Sequence, residues 1–281
     1  MGASDLRLGR RFWIESLHSY VRPYWNHLLN GYWAEGIVQG HLTLRQMQGW
    51  MLQLYPFIHT FPKYLAETLI KAEDDYSRSY YINNIRVEKA HARHWLWMGV
   101  GFGLPESEML ARANGEVAVL GDVQSLSDWL WFVNTKGSLA EAAAATSFAI
   151  EGVTGDLARK IISGFEHYKN EPGVNLNAKT YRWMREHVHY DDQHPRIALE
   201  IIEHYAKTEQ VQRRAMFAAK RSLQLLDQAL TSTCKAYSNP LLVDGEFAPD
   251  RRSRERRSES VSIDFPERRF RDRRGFRDVV H

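Results

Sequence analysis

Apolar side chains recur every three or four positions through most of the first 237 residues of this chain, and period-two alternation is scarce. That spacing puts one apolar stripe on each helix and predicts an all-α protein. A first helix is expected over residues 11–29, stopping near Asn30-Gly31. A second follows the cap residue Thr43 and carries Trp50, Leu54, Phe57, Phe61, Leu65 and Leu69 on one face. Pro56 and Pro62 fall inside it and predict a kink or a break, because each removes one helix hydrogen bond. A third helix is expected from about Asp74 to Val100, then short ones over 107–114 and 119–133. A further helix over 138–168 has Gly152 and Gly155 to soften its middle, and Asn170–Gly173 reads as a loop. The long pattern over 179–236 bends at Pro195.

The periodic pattern stops near Ser238, which divides the chain into a helical domain, 1–237, and a charged, disordered tail, 238–281. From Asn239 to His281 there are 11 Arg or Lys against nine Asp or Glu, a net of 11 − 9 = +2. Acids interleaved with the arginine pairs cancel most of the field, which argues against a nucleic-acid arm. The whole chain, 281 residues with a net charge of +3, carries too little charge to point to nucleic acid or a membrane. Its N-terminus lacks a secretory apolar region, and no apolar run approaches the roughly 20 residues of a membrane helix. Cys234 is the only cysteine, so no internal disulfide forms and a reducing cytoplasm is the expected location.

Three segments place metal-ligand side chains on helical stripes. In HVHYDDQHPRIALEII, His187, Asp191 and His194 stand at i, i+4 and i+7, which fall within roughly 60° of one another on a helix. His189 and Asp192 point elsewhere and read as surface groups or as groups behind the ligands. Glu88 and His91 stand at i and i+3, with Trp95 and Met98 continuing the face as an apolar one. His94, at i+6 from Glu88, points about 120° away. Glu151 is a lone acid ending an alanine-rich apolar run, with Phe148 and Ala144 on its own face. Glu141 is the competing acid there, but it sits in a first helical turn, where a carboxylate suits the helix dipole.

A charged, histidine-bearing stretch taken singly decorates a solvated helix face. Ionised groups at positions that should face a core need a partner, however, because an unpaired buried charge is costly. Three carboxylates and three imidazoles are too many donors for one catalytic metal with open positions and suit two. Carboxylate oxygen mixed with imidazole nitrogen favours iron or manganese over thiolate-type zinc. Tyr55, Phe57, Trp95 and Phe148 are candidate pocket aromatics, although such residues are more often plain core.

With these residues in place, the chain resembles the haem-oxygenase-like di-iron oxidases and oxygenases, which share a fold with the PQQ-synthesis oxidase and the thiaminase-II group. Glu88/His91, Glu151 and His187-x-x-x-Asp191-x-x-His194 carry the resemblance, supported by FPKYLAETL and HWLWMGVGFGLPESEM. It spans about residues 15–230. It implies a haem-oxygenase-like bundle of about seven helices and a pair of iron ions cycling between Fe2+ and Fe3+. The implied ligands are Glu88, His91, Glu151, His187, Asp191 and His194, with O2 as co-substrate. The implied reaction oxidises a small organic substrate of amino-acid, amine or fatty-acid type by N-oxygenation, desaturation or C–C cleavage. An external electron donor and a homodimer are compatible with it. In some relatives the first acid lies seven residues before the His, where this chain has Asn84. In the branch that consumes its own tyrosine, a Tyr precedes the second glutamate, where this chain has Ile150. The rival expectations are a metal-free oxidase or thiaminase-like hydrolase of the same fold, and a non-enzymatic helical binding protein.

Overall fold

The computed structural model describes residues 3–190 and 194–238, with side chains described over 13–188 and 194–238. The chain separates into Met1–Pro240 and Leu241–His281; the second unit, and with it the tail expected from sequence, lies outside the described residues. The described residues are helical, without a strand: α1 (Ala3–Asn30), α2 (Tyr32–Val38), α3 (Leu44–Leu69), α4 (Asp75–Gly101), α5 (Glu106–Ala113) and α6 (Gly121–Lys136) come first. A compound helix follows, made of α7 (Leu139–Ala143), a π segment (Ala144–Glu151), α8 (Gly152–Ile161) and a 3-10 segment (Ile162–Tyr168). The last are α9 (Arg182–Tyr190), α10 (His194–Tyr205) and α11 (Glu209–Ser238). None of the described helices is long and apolar enough to cross a membrane.

Local chemistry sets the helix starts. Thr43 accepts the backbone N–H of Gln46 at 3.2 Å while the Gln46 side chain accepts the N–H of Thr43 at 2.9 Å, a capping box that opens α3. Asp74 caps α4 by accepting the Ser77 N–H at 2.8 Å, and Ser138 with Glu141 builds a second capping box at α7. Of the expected kink or break, the break does not occur: α3 runs continuously from Leu44 to Leu69 through Pro56 and Pro62. Its Trp50, Leu54, Phe57, Phe61 and Leu65 are buried, each worth roughly 1.5–3 kcal/mol, which outweighs the hydrogen bonds the prolines remove. The most extensive helix pairing is α3 with α4, and α11 lies across the π segment, α6 and α3. All eight residues of the π segment are buried. At the end of α4, Gly103 adopts φ +84°, a left-handed conformation that glycine takes without a Cβ penalty.

Candidate metal centre

The candidate ligands converge from four elements. Helix α4 presents Glu88 and His91, the π segment ends on Glu151, and α9 and α10 supply His187 and His194. A π segment carries an extra residue per turn and re-aims the side chain at its end, a feature found often at functional sites. Here that side chain is Glu151. Glu88, His91, Glu151 and His187 are only 6%, 2%, 5% and 5% exposed. One ligand atom each from Glu88, His91 and His187 lies within 4.8 Å of the others, the spacing a single ion needs. Asp191, together with Asp192, lies outside the described residues.

Beside this trio sits a second acid–imidazole pair. Glu151 Oε2 is 3.3 Å from His194 Nδ1, and the Asn84 amide donates to both carboxylate oxygens of Glu151 at 3.0 and 2.9 Å. Glu88, Glu151 and His187 all line one cavity of about 60 Å³. Its remaining walls are almost wholly apolar, with Trp50, Phe57, Trp95, Ile150 and Trp183 among them. Phe57 and Trp95 thus line the cavity as expected, whereas Tyr55 and Phe148 do not.

Protonation follows from burial. Desolvation, reinforced by neighbouring His91, holds His187 well below its ordinary value, so the ring is neutral at pH 7, the form that binds metals. Its Nδ1 donates to the Trp183 carbonyl at 2.8 Å, which fixes the tautomer and leaves Nε2 with its lone pair toward the site. For His91 burial pulls the pKa down, but the Glu88 carboxylate at 3.0 Å outweighs it and the pKa is raised. His194 is raised in the same way, burial opposing and Glu151 prevailing. Burial raises Glu151, with His194 acting against it.

These residues fit a metal on the structure's own terms. His91 Nε2 and Asn84 Oδ1 are buried without a hydrogen-bond partner, a costly condition that an ion would relieve. Nitrogen and oxygen donors without a thiol are the set that suits iron.

Sequence spacing missed Glu186. Its Oε2 stands 2.7 Å from His94 Nδ1 and 3.6 Å from His91 Nε2, while Oε1 accepts from Arg182 at 2.9 Å. His94 is accordingly buried in a charged network and not a free side-face group. The only local signal was that Glu186 precedes His187 and stands four residues after Arg182. Cys234 is buried on α11, and burial pushes its thiol up to about 12.

The family model for iron-containing redox enzymes matches residues 48–227, a span that contains every candidate ligand. The chain belongs to this family. Among solved structures, it is similar to a TenA homolog from Pseudomonas syringae pv. tomato, at 26% identity and a TM-score of 0.69, covering 80% of this chain and 93% of that one. A domain of unknown function with a heme oxygenase-like fold from Shewanella denitrificans matches with a TM-score of 0.61 at 16% identity, over 85% and 94% of the two chains. A TenA homologue from P. horikoshii matches with a TM-score of 0.60 at 14% identity, over 78% and 98%. The haem-oxygenase-like all-α fold expected from the sequence is therefore the fold observed. No curated protein matches the chain.

Proposed function

We propose that this chain is a non-haem di-iron oxidase or oxygenase that uses O2 to oxidise a small organic substrate. The observation that carries this reading is the Glu88/His91/His187 trio beside the Glu151/His194 pair, with Glu88, Glu151 and His187 at the wall of one apolar cavity. The trio would hold one iron and the Glu151/His194 pair the other. Bound iron supplies the redox chemistry that dioxygen reduction needs. The protein does the rest. His187 is presented neutral and oriented by the Trp183 carbonyl, Asn84 fixes the Glu151 carboxylate, and the indole and aliphatic walls surround the site with apolar surface. The raised pKa values of His91 and His194 mean that a proton would compete with the metal for each ring.

Among the cavity walls the polar side chains are Glu88, Glu151, His187 and Thr154, and the Thr154 hydroxyl already donates to the Ile150 carbonyl. With no second charged anchor, the cavity favours a substrate that is apolar away from its reacting end. At about 60 Å³ it has room for a few waters, so a larger substrate requires its lining side chains to move. A metal-free thiaminase-like hydrolase of this fold is the competing reading. A cysteine nucleophile for it is disfavoured by Cys234, whose buried thiol stays protonated at neutral pH. The separating experiment loads the chain with Fe(II) anaerobically and admits air. A transient charge-transfer absorption is expected in the wild type and absent in Glu151→Ala and His187→Ala, with helical circular dichroism retained. An unchanged band in both variants would refute these ligands.

A further inference from the structure

Four of the nine tryptophans form a row that ends on a candidate iron ligand. From the site outward, the His187 ring lies 3.8 Å from Trp183, Trp183 lies 4.7 Å from Trp95, Trp95 lies 5.3 Å from Trp50, and Trp50 lies 4.9 Å from Trp33, centroid to centroid. Four helices, α9, α4, α3 and α2, each supply one indole, and α4 also meets His187 through His91 at 4.2 Å. All four indoles are buried. All four also wall the cavity, and the end farthest along the row, Trp33, stands on the short helix α2, whose neighbouring Tyr32 is exposed.

Edge-to-face aromatic packing is worth about 0.5–1.5 kcal/mol per pair, so stability alone accounts for indoles touching. It does not account for an unbroken run of the most readily oxidised apolar side chain leading from a redox ligand to an outer helix. The indole N–H groups add a second constraint. Those of Trp33 and Trp183 have no hydrogen-bond partner, and that of Trp95 is held by the Met51 carbonyl at 2.8 Å, a very weak base. At these three positions an oxidised indole therefore keeps its proton and is restored by one electron alone.

We infer that Trp183, Trp95, Trp50 and Trp33 form an electron relay that drains the O2-oxidised iron site when no substrate is present. The inference rests on the di-iron reading above. The site takes one electron from Trp183, which becomes an indole radical cation. An electron then passes from Trp95 to Trp183, from Trp50 to Trp95 and from Trp33 to Trp50. The hole left on Trp33 is filled by an external one-electron reductant such as a thiol or ascorbate. No bond is made or broken in the row, and no proton moves.

The test loads the full chain with Fe(II), measures bound iron and O2 consumption, and exposes it to air without substrate or reductant but with catalase. Peptide mapping by mass spectrometry then locates oxidised tryptophan. Oxidation is expected along the row and out to Trp33, sparing Trp131, which is 44% exposed, lies off the row and would be the first target of a diffusing oxidant. Trp95→Phe should confine oxidation to Trp183, and Trp50→Phe should confine it to Trp183 and Trp95, each with loss of the Trp33 product. Trp33 oxidised equally in both variants, or damage centred on Trp131, overturns the relay. A chain that binds iron and consumes O2 with no oxidised tryptophan in the row removes the relay alone. One that binds no iron removes the di-iron reading and the relay together.

Discussion

Glu151→Gln should make the iron-free protein more stable while ending its capacity for two irons. In the metal-free fold Glu151 is a buried acid whose desolvation is offset by His194 at 3.3 Å and by the Asn84 amide on both oxygens. Exchanging a buried charged group for a neutral isostere is often neutral or stabilising by 1–4 kcal/mol, provided the partner is not stranded. His194 is not stranded, because at 17% side-chain exposure it can release its proton. Asn84 gains, because a flipped amide lets its unpaired Oδ1 accept from the new Gln. A neutral Gln amide no longer attracts the His194 ring as a carboxylate does, so the low end applies, about +1 kcal/mol, or roughly 2–4 °C in Tm for a domain of this size. Glu151→Ala instead leaves Asn84 and His194 without a partner and should lose about 2 kcal/mol. The assay is thermal and urea denaturation of chelator-treated protein at pH 8. A Gln variant as destabilised as the Ala variant would mean that Glu151 is a structural acid, satisfied by His194 and Asn84 with no ion needed. The pH dependence has a definite sign. Glu151 is raised above 4.5 and His194 above 6.5, so their contributions are full below those ordinary values and are lost as pH rises through the folded ones. Glu151→Gln should flatten that loss.

Three further outcomes follow from other side chains. His94→Ala should retain bound iron, because His94 lies outside the trio, whereas His187→Ala should lose it; metal analysis after gel filtration reads both. Gly164→Ala would put a methyl 2.3 Å from the Ile37 carbonyl oxygen, a backbone atom that cannot step aside, and should cost about 1–3 kcal/mol by thermal melting. Asp74→Ala removes the α4 cap and should cost about 1 kcal/mol by urea midpoint. Hydrogen bonds from Tyr205 and Ser77 hold the Asp74 pKa below 3.8, so its contribution is present above that value and should fade as pH falls through the depressed one.

Most of the fold was legible because it is written locally. Thr43, Asp74 and Ser138 are cap residues whose chemistry needs only the next three positions, and the structure starts helices at each. The convergence of Glu88, His91 and His187 was legible as helical stripes, each carrying ionisable groups where apolar ones belong. What could not be read depends on pairings far apart in the chain. The passage of α3 through Pro56 and Pro62 reflects its packing on α4 and α11, not its own propensity. Glu186 joins His91 and His94 only once α9 lies against α4. The π segment that aims Glu151 has no signature in AAAATSFAIE, whose spacing equally suits an α-helix. The burial of Cys234 follows from the docking of α11 along α3, where Gln46 binds its carbonyl at 3.1 Å.

Whether two irons bind here is decided by anomalous diffraction at the iron edge from a crystal of this chain soaked anaerobically in Fe(II). Two peaks per chain are expected, one bounded by Glu88, His91 and His187 and the other reached by Glu151 and His194. A single peak, or iron bound away from these five side chains, would contradict the di-iron centre.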